Sequence, residues 1–184
     1  MHRPSFLMRP ALLLDVDGVL CPFGDVPNGY RYHVVGDSWV YTSSANAGRL
    51  ARLRRHYDLY WCTAWEDQAN EWLLDIHNLA PLPVIHFDDD EHDPSAAHWK
   101  IPSIHRWANG RPFAWVDDEV DDAVVRWAKG RTAEGCPTLA LGVSSDLGLG
   151  DDHVDILQKW AIAPDHLANS GHSVLGLDSE PQIV

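Results

Sequence analysis

The sequence predicts one α/β domain built on a doubly wound parallel sheet of about five strands, with a small β-hairpin inserted after the first strand. Short apolar runs bounded by Gly, Pro and acidic residues alternate along the chain with longer segments in which apolar residues recur at helical spacing. The 184 residues suffice for one domain with a substantial core but are few for two. These observations together indicate parallel strands connected by helices.

The first strand is predicted in residues 11–16, ALLLDV, because this run is apolar on both faces, as a buried central strand should be. Residues 1–10 before it are expected to form a loose N-terminal arm. Residues 20–43 carry Pro, Asn-Gly and Gly-Asp around YRYHVV and SWVYT. These turn-forming residues predict a β-hairpin outside the main sheet, which we call the flap.

Strands and helices then alternate. Further strands are predicted in DLYWCTA, LPVIHF, PFAWVDDE and PTLALGV. Helices are predicted in ANAGRLARLRRHY, EDQANEWLLDIHNLA, AAHWKIPSIHRWA, VDDAVVRWAKG and GDDHVDILQKWAI. Pro102 fits the third of these helices only in its first turn. No repeat or linker divides residues 11–163, so we expect one Rossmann-like domain, followed by a flexible tail over residues 164–184.

Composition and charge exclude several classes of function. With 45% hydrophobic and 22% charged residues, the chain resembles an ordinary globular protein. A formal net charge of −13 argues against extended nucleic-acid or anionic-membrane binding. The longest apolar run near the N-terminus, ALLL, is too short to span a membrane, and no secretory signal is recognisable. Cys21, Cys62 and Cys136 suggest no disulfide framework, so we expect a cytoplasmic protein; the oligomeric state stays open.

Polar side chains follow the predicted strands where each strand ends. Carboxylates placed at the end of a buried strand need a metal, a cation or a proton nearby. Ligands of open α/β sheets bind beyond the carboxyl ends of the strands, so these side chains are expected to meet in one site. The candidate residues are Asp15, Asp17, Thr63, Lys100, Asp117 and Asp118.

The segments DVDGVL, CTAW, HWK and WVDDE, in that order, resemble motifs I to IV of the haloacid dehalogenase-like (HAD) hydrolases over roughly residues 11–160. The resemblance implies a phosphatase in which Asp15 is the nucleophile that forms an aspartyl-phosphate. It makes Asp17 the acid that protonates the leaving oxygen and then activates water. Since a departing halide needs no proton, Asp17 favours phosphate esters over haloacids as substrates.

The resemblance also assigns the remaining candidates. Thr63 would hydrogen-bond a phosphoryl oxygen, and Lys100 would offset charge on the nucleophile and the phosphoryl group. Mg²⁺, which prefers oxygen ligands, is the implied cofactor. Its implied ligands are the Asp15 carboxylate, the Asp17 backbone carbonyl and one acid of the pair Asp117 and Asp118. Which acid of that pair binds the metal and which orients Lys100 stays open.

The interval between the first two motifs is too short for a large cap domain, so the flap is expected to act as a minimal cap over an open site. The expected substrate is a phosphomonoester, either a phosphorylated small molecule or a nucleotide or nucleic-acid end. Aromatic residues of the flap could stack on a base or sugar, or could only pack the hairpin onto the domain. These residues are Tyr30, Tyr32, Trp39 and Tyr41.

Several alternatives remain. The chain could be a non-catalytic HAD-like module that binds a phosphorylated or protein partner, and mutase or dehalogenase chemistry is less favoured. The acidic loop at residues 87–93 lacks calcium-loop spacing, His86, His92 and His98 show no zinc pattern, and Glu119 is expected to be solvated. The tryptophans are expected in the core, although Trp65 could wall the active site. Those considered are Trp61, Trp65, Trp72, Trp107, Trp115 and Trp127.

Overall fold

The computed structural model describes residues 9–24, 29–87 and 95–162. Most of the expected N-terminal arm, nearly all of the acidic loop and the expected C-terminal tail lie outside these ranges. The strands are β1 Ala11–Leu14, β2 Tyr30–Val35, β3 Ser38–Ser43, β4 Asp58–Trp61, β5 Phe113–Asp117 and β6 Thr138–Gly142. The helices are α1 Asn46–Leu53, α2 Gln68–Trp72, α3 Leu74–His77, α4 Ile101–Ala108, α5 Asp122–Ala133 and α6 Asp151–Ile162.

Four of the strands form a parallel sheet in the order β4-β1-β5-β6. The central strand β1 pairs with β4 on one side and with β5 on the other, so that Leu14 lies opposite both Trp61 and Val116. The chain therefore moves from β1 outward to β4 and later returns across β1 to β5. Such a reversal of strand order leaves a crevice beyond the carboxyl ends of β1 and β5.

Alternate residues of β1 point to opposite faces of the sheet and belong to two separate cores. Leu12 and Leu14 pack in a core with residues of α1, α2 and α6. Ala11 and Leu13 pack in a second core with residues of α4 and α5. All four β1 side chains are fully buried. Helices thus cover both faces of the sheet, which explains why its central strand is apolar throughout.

The prediction of a full strand in LPVIHF is wrong. Within this segment Val84 forms an isolated bridge to Trp61. The Trp61 N–H donates to the Pro83 carbonyl and the Ile85 N–H donates to the Trp61 carbonyl, each at 2.9 Å. Pro81 and Pro83 have no N–H, so this part of the chain cannot extend the ladder. The parallel sheet in the described ranges consequently has four strands instead of about five.

Two predicted helices differ in detail from the observed ones. The helix predicted in EDQANEWLLDIHNLA is divided into α2 and α3 at Leu73, whose φ of −107° departs from the helical value. The next helix begins at Ile101, later than predicted, and Pro102 lies in its first turn as required. Before it, the Lys100 N–H donates to the His98 side chain, so a local turn replaces the first predicted helical turn.

The flap is a two-stranded antiparallel hairpin, as predicted, with β2 paired to β3 from Tyr30 opposite Ser43 to Val35 opposite Ser38. Val35 and Thr42 are buried, so one face of the hairpin packs onto the sheet domain. The Tyr30 hydroxyl donates to the Leu147 carbonyl and ties the hairpin down at its base. The three cysteines are free thiols, in agreement with the expected lack of disulfides. No helix in the described ranges has the length and apolar character needed to span a bilayer.

Candidate active site

The carboxyl ends of β1 and β5 and the start of α4 bring one lysine between two carboxylates. The Lys100 Nζ lies 2.6 Å from the Asp15 Oδ2 and 2.7 Å from the Asp117 Oδ2. All three side chains are buried, and Asp117 is buried completely. Buried charges are stable in proteins when they are paired and hydrogen-bonded. The structure therefore identifies Asp117, and not Asp118, as the acid of that pair that holds Lys100.

Two further donors fix the Asp117 carboxylate. The Trp115 Nε1 donates to its Oδ2 at 3.2 Å, and the Glu119 backbone N–H donates to its Oδ1 at 3.0 Å. Asp118 is placed differently, because its half-buried carboxylate fills the space where a side chain at Gly18 would begin. Gly18 also has a φ of +66°, so both its conformation and its neighbour require glycine at this turn.

Carboxylate oxygens of Asp15, Asp117 and Asp118 lie within 4.8 Å of one another, a grouping that could hold a metal ion. Burial raises the pKa of Asp15 to about 7, although the neighbouring Lys100 lowers it. Burial also raises the pKa of Asp118, with a further contribution from Asp117. Both shifts show that burial disfavours the charged carboxylates, a cost that a bound cation relieves. The oxygen-only donor set fits a hard divalent cation.

Asp17 lies apart from this charged group. Its half-buried carboxylate accepts a hydrogen bond at Oδ2 from the Trp65 Nε1, 2.8 Å away. Burial raises the pKa of Asp17, and the Trp65 hydrogen bond only partly opposes that rise. Asp15 and Asp17 thus occupy different environments, one against a cation and one against a neutral donor. Neighbouring carboxyls in unlike environments can take different roles in acid–base chemistry.

Thr63 is brought to the same edge of the sheet but makes only local contacts in the described ranges. The adjacent Cys62 N–H donates to the Leu14 carbonyl at 2.8 Å, which extends the β1–β4 pairing toward Asp15. The fully buried Thr63 hydroxyl oxygen accepts from the Trp65 N–H at 3.3 Å. None of the hydrogen bonds described for Thr63 reaches Asp15, and none uses its hydroxyl proton.

His98 is a residue of the site that the sequence analysis missed. Its Nδ1 accepts from the Lys100 N–H at 3.1 Å, which assigns the ring proton to Nε2. The Nε2 lies 3.0 Å from the Glu119 Oε2 and donates to it. Glu119 is exposed to solvent, as expected, but its side chain also accepts from His98 and its N–H donates to Asp117. The sequence feature that could have indicated this role is the position of His98 two residues before Lys100 in HWK.

A cavity of about 490 Å³ opens beside Asp17, between the flap and the sheet domain. Aromatic side chains make up much of its lining in the described ranges: Phe23 from the loop after β1, Trp39 and Tyr41 from the flap, and Trp65 and Trp72 from the domain. Trp65 lines this cavity and also packs against the first core, so it occupies both of the expected positions. Trp61 and Trp115 are fully buried in the core, as predicted.

The flap aromatics contact one another instead of entering either core. Trp39 packs with Tyr32 and Tyr41, with ring centroids 6.0 and 5.5 Å apart, and its side chain is 59% exposed. Tyr32 is also more than half exposed. For Tyr32, Trp39 and Tyr41, packing of the hairpin onto the domain is therefore not the explanation; Val35 and Val40, on the opposite face of the hairpin, supply that contact. Tyr30 differs, because its hydroxyl ties the hairpin to the Leu147 carbonyl.

Comparison with known proteins leaves the function to be argued from the site. No protein-family model matches the sequence. A protein of Acanthamoeba polyphaga mimivirus, named only as uncharacterized, is 23% identical over 123 residues. The match covers 56% of this chain and 24% of the viral protein, so this chain spans about a quarter of that protein's length.

Proposed function

We propose that this protein is a Mg²⁺-dependent phosphatase of the HAD type that hydrolyses a phosphomonoester through an aspartyl-phosphate on Asp15. The observation that carries the proposal is the buried Asp15–Lys100–Asp117 group at the crevice between β1 and β5. The proposal includes a doubly wound, Rossmann-like arrangement, with which the strand order and the helices on both faces agree.

Asp15 is held in an orientation suited to attack. The Val16 N–H donates to its Oδ1 at 2.7 Å, while Lys100 contacts its Oδ2. In the first step a carboxylate oxygen of Asp15 forms a bond to phosphorus as the bond from phosphorus to the ester oxygen breaks. Lys100 offsets the negative charge on the carboxylate and on the transferring group. Burial alone would lower the pKa of Lys100, but Asp15 and Asp117 raise it, so the lysine stays charged.

Asp17 transfers the proton in both steps of the proposed reaction. Its raised pKa keeps the protonated form accessible, so that it gives its proton to the ester oxygen as that oxygen leaves. The resulting carboxylate then takes a proton from the water that attacks the phosphorus of the aspartyl-phosphate. Inorganic phosphate departs, and Asp15 returns as a carboxylate. The Thr63 hydroxyl proton, unused in its described hydrogen bonds, is available to a phosphoryl oxygen.

The residues present fit a divalent cation. Asp117 accepts three described hydrogen bonds, from Lys100, Trp115 and the Glu119 N–H, whereas Asp15 accepts two. We therefore assign the Asp15 and Asp118 carboxylates, with the Asp17 carbonyl implied by the resemblance, as the residues that would hold Mg²⁺. When bound, the ion would neutralise charge on the phosphoryl oxygens and orient them.

The test is release of inorganic phosphate from a panel of phosphomonoesters, with Mg²⁺ or with a chelator, by the wild type and Asp15→Asn. We expect Mg²⁺-dependent turnover that is lost in Asp15→Asn and retained in Asp75→Asn, an exposed acid of α3. Intact-mass measurement of Asp17→Asn with an aryl phosphate, whose leaving group needs no proton from Asp17, should show one added phosphoryl group. Turnover retained by Asp15→Asn would contradict the proposal. Mg²⁺ and phosphate binding without turnover would favour the non-catalytic module instead.

A further inference from the structure

We infer that the aromatic cavity beside Asp17 binds the leaving group of the substrate, and that this group carries an uncharged planar ring of nucleoside size. The inference deepens the proposed phosphatase function and rests on it for the chemistry. It names the substrate class as nucleoside monophosphates, in preference to sugar phosphates that lack a ring system of this kind and to polyanions.

The position of the cavity identifies what it would hold. Asp17 lines it, and the Trp65 Nε1 that holds the Asp17 carboxylate belongs to a second lining residue. In the proposed reaction Asp17 delivers its proton to the ester oxygen of the leaving group. The part of the substrate attached to that oxygen therefore lies on the Asp17 side of the phosphoryl group, which is where the cavity opens.

The size and lining of the cavity favour a planar ring. Its volume of about 490 Å³ is within the range of small-molecule sites, roughly 300–1,000 Å³, and exceeds what a phosphoryl group alone needs. On the domain side Trp65 and Trp72 meet edge to face with centroids 5.4 Å apart. On the flap side Trp39 and Tyr41 do the same at 5.5 Å. Residues with aromatic rings from both the domain and the flap thus line the cavity, where they can contact an inserted aromatic ring.

The exposure of the aromatic residues at the cavity is the second indication. Trp39 is 59% and Phe23 is 51% exposed, although both line the cavity. Large aromatic side chains left in contact with water at a concave site commonly mark a surface that a ligand covers. Stacking of a base on an aromatic side chain contributes on the order of 1–3 kcal/mol, enough to decide between otherwise similar phosphate esters.

Charge determines what kind of ring-bearing molecule fits. Among the described lining residues there is no lysine or arginine, and Asp17 is the one acidic residue. The whole chain carries a net charge of −13. Additional phosphates or a polynucleotide backbone would meet no cation here and would be repelled. A negatively charged ring is therefore disfavoured, and the single phosphoryl group is the part that reaches Lys100.

Binding can be tested without turnover in the Asp15→Asn variant. Calorimetric titration with adenosine and uridine 5′-monophosphate is compared with titration with ribose 5-phosphate, which keeps the sugar and phosphate but lacks the base. We expect at least one nucleotide to bind about tenfold more tightly than ribose 5-phosphate, the effect that one good stack supplies. Adding Trp39→Ala should remove most of this preference and leave the affinity for ribose 5-phosphate unchanged, whereas Trp39→Phe should keep it.

Val34→Ala is the matched control, because Val34 is 69% exposed on the same hairpin and does not line the cavity. Equal affinity for ribose 5-phosphate and both nucleotides would overturn the inference. So would a nucleotide preference that survives Trp39→Ala, or tighter binding of adenosine triphosphate or an oligonucleotide than of the monophosphate. Ring-dependent binding without phosphate release would refute the phosphatase and keep the ring site. Phosphate release at equal rates from the nucleotides and ribose 5-phosphate would support the phosphatase and refute the ring site.

Discussion

Two acids separated by one residue, Asp15 and Asp17, experience opposite surroundings at this site. Asp15 is buried against the ammonium of Lys100, and Asp17 is half-buried against the neutral indole N–H of Trp65. Burial raises the pKa of both acids, and the rise is opposed at Asp15 by the charge of Lys100 and at Asp17 by the Trp65 hydrogen bond. The proposed phosphatase divides this pair between nucleophile and acid. The division comes from the partners, since the two side chains are chemically identical.

Lys100→Met tests how much the fold depends on that ammonium. The substitution leaves Asp15 and Asp117 buried without a cation, so we expect the free energy of unfolding to fall by about 3–5 kcal/mol in metal-free buffer. Urea denaturation measures the change. Asp117→Asn added to Lys100→Met should recover part of the loss, because one of the unpaired charges is then gone. A Lys100→Met protein as stable as the wild type would show that the ion pairs do not stabilise the fold.

Trp65→Phe tests the hydrogen bond to Asp17 while keeping an aromatic ring in the cavity wall. Without the Nε1–H the carboxyl loses its fixed orientation, and we expect kcat of the proposed phosphatase to fall about three- to tenfold, a fraction of what general acid catalysis contributes. Steady-state kinetics measure it. Trp107→Phe is the control, because Trp107 packs on Tyr60 and Phe113 in the second core. An unchanged kcat in Trp65→Phe would exclude this role.

The flap, the cavity wall and Asp17 form one continuous set of contacts among elements. The turn between β2 and β3 places Gly36 against the ring of Trp72, Trp72 packs on Trp65, and Trp65 holds Asp17. The position of a hairpin outside the main sheet is thereby linked to the acid at the carboxyl end of β1. A disturbance at the flap turn should consequently affect the site.

Gly36→Ala provides that disturbance. A Cβ at Gly36 would lie 2.8 Å from Cζ2 of Trp72, so either the turn or the ring must move. Gly110→Ala is the matched control, since Gly110 also has a positive φ but nothing within 4 Å of the added atom. Both variants should lose about 1 kcal/mol of unfolding free energy to the left-handed conformation. Only Gly36→Ala should also lower kcat/KM, by several fold; equal kinetics in the two variants would contradict the link.

Strands and helices could be predicted from the sequence where the apolar residues followed a single clear spacing. β1, β5 and the flap hairpin follow from apolar runs and turn residues, but LPVIHF reads as a strand only if the missing N–H of Pro83 is overlooked. The break at Leu73 leaves no mark in the helical pattern. The site followed from strand ends, because parallel strands bring their carboxyl ends to one edge.

A single sequence does not show which of Asp117 and Asp118 pairs with Lys100, because it does not show which face of the sheet α4 packs on. Side chains alternate along a strand, so Asp117 points to the same face as Trp115, and Asp118 does not. The second core shows that α4, which follows Lys100, packs on the Trp115 face. Once the face of α4 is known, the pairing of Lys100 with Asp117 follows. The contact of His98 with Glu119 joins two irregular segments, for which no periodicity exists.

Across the whole molecule, buried ionisable groups change stability with pH in opposite directions. Burial raises the pKa of Asp15, Asp17 and Asp118, which favours the folded state as these groups gain protons at lower pH. Burial lowers the pKa of His77 to about 4, with a smaller contribution from the charge of His33, and this favours the folded state only while His77 is neutral. The pH profile of the intact protein is therefore a difference between these contributions.

The His77 contribution can be isolated with His77→Gln. His77 is 1% exposed on α3, and its Nε2 has no hydrogen-bond partner in the described part of the chain. The unfolded chain binds a proton near pH 6.5 and the folded one only near pH 4, so the wild type loses stability as pH falls through this window. Glutamine has no such titration.

From neutral pH to about pH 5 the unfolding free energy of the wild type should therefore fall relative to that of His77→Gln by roughly 1–2 kcal/mol, measured by urea denaturation. Because the carboxyl groups are common to both proteins, their contributions cancel in the comparison. A stability difference that does not vary with pH would mean that His77 is protonated in the folded protein as readily as in the unfolded chain.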